Sequence, residues 1–65
     1  MSTTIWTTGL LGNRSYNFDH TPQNIDQAIV NAVRASDDWD QVNVYVGELL
    51  VATVRGGHIW RRTGY

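Results

Sequence analysis

The residues best able to do acid–base chemistry are His58 and the Asp19-His20 pair, because histidine titrates near neutrality and a carboxylate can orient its ring. Adjacent residues seldom turn their side chains toward each other, and Asp19-His20 stands just ahead of a helix start, where a solvated turn or a cap accounts for both. No recognisable set of nucleophile, base and oxyanion donors accompanies them, so the chain reads as non-enzymatic. The run Asp37-Asp38-Trp39-Asp40 has the carboxylates of a calcium loop without its spacing. With Asp38 as the first loop position, Asn43 and Leu49 occupy the places that require glycine and glutamate. It reads instead as a solvated acidic turn, with Trp39 tucked against the helix end, that offers a basic partner an acidic patch. Gly56-Gly57 has no helix after it and Gly9 to Gly12 leads into a strand, so both are turn glycines rather than a phosphate or dinucleotide cradle. No cofactor or metal is expected.

The sharpest binding constellation is Tyr45, Arg55, His58, Trp60 and Arg62, with Arg61 beside them. Aromatic planes among arginines on a sheet can stack on other rings, on guanidinium groups or on unpaired bases. The plainer alternative is an outward strand face whose large cross-strand pairs stabilise the sheet and bind nothing. Trp6, Leu10 and Leu11 form a second apolar group, which either folds back over a small core or meets a partner.

These residues are positioned by elements that the pattern of side chains announces. Thr3 to Thr8 is a β-branched and aromatic run, and Arg14 to Phe18 a second, which predicts a hairpin with a loop of about five residues over Gly9 to Asn13. Ile5 and Thr7 share one face and Trp6 and Thr8 the other, while Tyr16 and Phe18 are expected in the core. Thr21-Pro22 predicts a helix start, since threonine can accept an orphan backbone N–H and proline suits the first helical position. Ile25, Ala28, Ile29, Ala32 and Val33 then recur as an amphipathic stripe, and the acidic run predicts an end by Ser36. Val42 to Arg62 reads as a three-stranded meander. A three-residue turn of Gly47, Glu48 and Leu49 followed by a two-residue turn at Gly56-Gly57 gathers Val42, Val44, Val46, Leu50, Ala52, Val54 and Ile59 on one face. The opposite face then carries Asn43, Tyr45, Val51, Thr53, Arg55, His58, Trp60 and Arg62, with Trp60 beside Thr53 and Arg61 on the other side or the rim. The expected fold class is α+β: one small domain with an antiparallel sheet of about five strands and one helix packed on one face, in the order ββαβββ.

Composition narrows the function. A chain of 65 residues buries roughly 60% of the surface its unfolded form exposes, which leaves room for one core. There is no cysteine, so disulfides, thiolate metal sites and a cysteine nucleophile are excluded. Good packing and self-association remain as ways to stabilise so small a chain, and three Trp, three Tyr and one Phe supply the anchors for either. No stretch approaches the roughly 20 apolar residues of a membrane helix and no leader pattern opens the chain, which points to a cytoplasmic protein with no membrane partner. Asn13-Arg14-Ser15 fits a glycosylation sequon that has meaning only in a secreted chain.

The net charge of −1 gives no overall attraction to nucleic acid. Charge is nevertheless divided, because the first fifty residues hold two arginines and all six carboxylates, and the last fifteen hold three arginines and no carboxylate. The function expected on these grounds is a non-enzymatic protein-interaction module that self-associates and binds a protein partner of unstated identity. Chains this short suit an accessory or inhibitor role in a virus or mobile element. Nucleic-acid binding by the Arg and aromatic face ranks second, because such binding is mainly electrostatic and the local positive excess is small.

Overall fold

The computed structural model describes residues 4–19 and 21–65. The expectations that began at Thr3 or involved His20 therefore lie partly outside the described residues. The elements are β1 (Ile5–Leu11), β2 (Arg14–Asn17), α1 (Ile25–Ala35), β3 (Gln41–Val46), β4 (Leu49–Arg55) and β5 (His58–Arg61). They form one antiparallel sheet in the order β2-β1-β3-β4-β5, with α1 against one side, which is the ββαβββ arrangement expected.

The first hairpin is tighter than its glycines suggested. β1 runs on through Gly9, Leu10 and Leu11, and only Gly12-Asn13 turns the chain before Leu11 pairs with Arg14. Gly9 is a strand residue because the Trp39 ring lies flat on it. A Cβ at this position would come within 2.5 Å of that ring. Trp39 is half-buried there, between Phe18, edge-on at 5.6 Å, and Tyr16, stacked at 6.1 Å. Phe18 packs against the core as expected. Tyr16 does not: it is 49% exposed, at the outer side of the Trp39 cluster. The acidic run also has a structural part, since the Asp40 N–H donates to the Leu10 carbonyl at 2.9 Å and its carboxylate accepts from the Gly12 N–H at 2.8 Å.

The helix begins after Asn24, not at Thr21-Pro22. Asn24 is extended, and its side-chain oxygen accepts from the Gln27 N–H at 2.8 Å, while the Gln27 side chain accepts from the Gln23 N–H at 2.7 Å. That reciprocal pair satisfies two donors at the helix start, which a threonine three residues earlier cannot do. Pro22 is instead buried ahead of the helix. Ser36 caps the other end, as the acidic run implied. Ala28, Ile29 and Ala32 are buried against β1, β3 and β4, and Ile25 packs beside them, whereas Val33, at the edge of the stripe, is exposed.

The meander reaches the expected core register by a different route. The first turn has two residues, Gly47-Glu48, with Val46 opposite Leu49 and Tyr45 opposite Leu50. Gly47 takes a φ of 60°, which a side chain would resist. Val51 then has no cross-strand partner, and this bulge restores the pairs Val44 with Ala52 and Val42 with Val54. Those four residues are fully buried, as expected, and so is Val51, which had been placed on the open face. Val46 and Leu50 are only partly buried. Ile59 corrects the expectation of a core residue: it shares the helix side with Val54, but α1 packs over β1, β3 and β4 and meets β5 through the Asp26–Arg61 ion pair, and Ile59 is 53% exposed. Among the described residues no helix is long and apolar enough to cross a membrane.

Candidate functional site: the face of the sheet without a helix

Cross-strand register places one residue from each strand in a single row on the side away from α1: Asn17, Thr8, Asn43, Thr53 and Trp60. Two pairs within the row are hydrogen-bonded. The Thr8 hydroxyl donates to Asn17 Oδ1 at 2.8 Å, and Asn43 Oδ1 accepts from the Thr53 hydroxyl at 3.1 Å and from Gln41 Nε2 at 2.8 Å. Asn43 Nδ2 donates to the Tyr45 hydroxyl at 3.4 Å. Although no helix covers this face, Asn43 is only 8% exposed, so its satisfied amide is a fixed part of the surface.

Beside this polar row runs an aromatic one. Trp6 is paired with Tyr45, and their rings stack with centroids 4.3 Å apart at 11°. Trp6 Nε1 donates to the Gly47 carbonyl at 2.6 Å, which locks the indole in place over the turn. Leu50, opposite Tyr45, continues the row. At the far edge Trp60 stands opposite Thr53, as expected, and is 48% exposed. The Arg62 guanidinium lies 5.9 Å from the Trp60 ring centre while its Nε donates to the Leu50 carbonyl at 2.9 Å. Arg55 and His58 pair across the second turn and are both exposed.

Five of the six site residues expected from the sequence thus share this face. Arg61 does not. It is opposite Ala52, on the helix side, and forms an ion pair with Asp26 at 2.8 Å. Asp19 follows β2 and His58 opens β5, at opposite edges of the sheet, so the structure does not bring them together; the Tyr16 hydroxyl donates to Asp19 at 3.4 Å. Trp6 and Thr8 were missed as members of the face, and Leu50, expected on the core face, joins it because the two-residue turn sets it opposite Tyr45. Alternation along β1 had put Trp6 and Thr8 on a common side, but nothing in the chain's order told that β1 lies against β3. Leu10 keeps to the open side with Trp6, whereas Leu11 falls opposite Arg14 on the other side and is exposed.

None of the six carboxylates lies in a strand, while Arg14, Arg55 and Arg61 do. Arg55, His58 and Arg62 border the open face at its β4–β5 end. No family model, no curated protein and no solved structure matches this chain.

Proposed function

We propose that the protein is a non-enzymatic interaction module that binds a protein partner on the helix-free face of its sheet and associates with itself. The observation that carries the reading is the Trp6–Tyr45 stack, held by the Gly47 carbonyl and the Asn43 amide and flanked by Leu50, Trp60 and Arg62. Aromatic and arginine side chains dominate interface hot spots, and rings already fixed in place lose little freedom on binding. The proposal places the module in the cytoplasm, where a chain without cysteine has no disulfide to lose.

Trp60→Ala tests it. The exposed ring contributes little to the fold, so the melting midpoint should fall by about 1 kcal/mol of stability or less, while binding and self-association weaken by about 2 kcal/mol or more. An unfolded variant would place Trp60 in the core, and equal capture of the same partner by variant and wild type would remove this face from the interface.

A second reading is favoured by the positive border of the face. Arginines contact phosphates and rings stack on unpaired bases, so a single-stranded nucleic acid is the alternative ligand. Two facts rank it lower: the overall charge is −1, and Trp6 and Tyr45 already occupy one another's inner faces. A labelled single strand whose binding weakens steeply with salt would raise this reading, and no binding at low salt would dismiss it.

A further inference from the structure

The sheet has two free edges, and they differ in what they present. The two-residue turn at Gly56-Gly57 makes Arg55 and His58 a hydrogen-bonded pair, and the Arg62 N–H donates to the Val51 carbonyl at 2.8 Å, so His58, Trp60 and Arg62 turn their backbone groups inward to β4. The N–H and C=O of Ile59 and Arg61 therefore point out of the sheet. By the same parity the outward groups of β2 belong to Ser15 and Asn17, because the Phe18 N–H is spent on the Thr7 carbonyl. Both outward β2 residues are polar. β5 instead exposes Ile59 and Trp60 along its edge.

Resting on the self-association reading above, we infer that two copies of this chain join through antiparallel pairing of β5 with β5 about a twofold axis at Trp60. In that register Ile59 pairs with the partner's Arg61 and Arg61 with the partner's Ile59, so that every outward backbone group of the strand finds a partner. Centring the axis on Ile59 would draw in the turn residue Gly57, and centring it on Arg61 would set two arginines face to face. With the axis at Trp60 each Arg61 faces an isoleucine and has its charge balanced by its own Asp26. The tail does not block the edge by strand pairing, because Thr63 to Tyr65 turns back, with the Tyr65 N–H donating to the Arg62 carbonyl at 3.0 Å. The product is a ten-stranded sheet whose two helix-free faces are continuous across the Trp60 pair.

The contact can be read on the unaltered chain. The outward N–H groups of Ile59 and Arg61 should exchange at least about tenfold more slowly at concentrations that favour the dimer than at low concentration, while those of Ser15 and Asn17 on the other edge keep their rates. In sedimentation of the full chain, wild type should dimerise with concentration. Ile59→Pro removes an outward N–H, and Ile59→Lys adds charge to the contact without touching β4 pairing; both should be monomeric while Ser15→Lys still dimerises. Should Ile59→Pro fail to fold, Ile59→Lys decides. Dimers that survive Ile59→Lys, or Ile59 and Arg61 amides that exchange no more slowly on dimerisation, would overturn the edge contact and leave self-association standing. A wild type monomeric at millimolar concentration would end both.

Discussion

Gly9 and Trp39 fit because one lacks the atom that the other's ring displaces. Gly9→Ala should cost about 1–3 kcal/mol by overpacking, and the loss should shrink when Trp39→Phe is combined with it, as a double-mutant cycle in denaturant would register. Thr7 makes the opposite prediction. Its hydroxyl is fully buried on the helix side opposite Val44 and, among the described residues, has no hydrogen-bond partner. Thr7→Val should raise the urea midpoint, by about 1 kcal/mol of stability, since it removes a buried polar group that nothing satisfies; a lower midpoint would show that the hydroxyl is bonded. These two residues mark the limit of reading side chains in order. A glycine beside two leucines announces a turn, and only the distant Trp39 makes it a strand residue. A threonine in an alternating run shows its face but not whether that face is wet. Trp60 was legible, because the glycine pair fixed its hairpin and alternation did the rest.

At the scale of elements, the helix shows how a boundary is decided. The stripe of small and branched residues set the helix's existence and buried side, yet Thr21-Pro22 and Asn24 each offer a start. Asn24 prevails because Gln27 reaches back to complete the cap. Asn24→Ala should therefore destabilise the protein by about 1 kcal/mol and Asn24→Gly by only a few tenths, while Thr21→Ala should leave the thermal midpoint nearly unchanged. The reverse order would mean that the helix starts where the proline suggests. In the meander the pairs Val42 with Val54 and Val44 with Ala52 were right, but the turn length was wrong and Leu50 left the core face for a place opposite Tyr45, since a bulge at Val51 made up the residue that a three-residue turn would have absorbed. Turn length and bulge trade one residue for another without changing which valines meet, so hydrophobic pattern alone cannot separate them. Ile59 failed as a core residue for a plainer reason: α1 packs on β1, β3 and β4, and the exposed Asp26–Arg61 ion pair spans from it to β5.

Over the whole molecule, protection from exchange should follow this cover. At low concentration the amides of α1, β3 and β4 should exchange slowest and those of β2 and β5 faster, and rapid exchange throughout α1 would be incompatible with the fold. The class of fold was readable because one helical stripe stood between two groups of alternating runs. Strand order was not, since the position of β1 between β2 and β3 depends on pairs such as Ile5 with Val46, which no local signal links. That same insertion sets a kinetic order. The β3-β4-β5 meander closes through short turns, whereas β1 must find β3 across the whole of β2 and α1, so the slow step in reaching the native state is the closing of that long loop. Conservative truncations at the β1–β3 seam, such as Val44→Ala, should slow refolding in stopped-flow measurements, while equal destabilisation on β5 should appear as faster unfolding with the refolding rate kept.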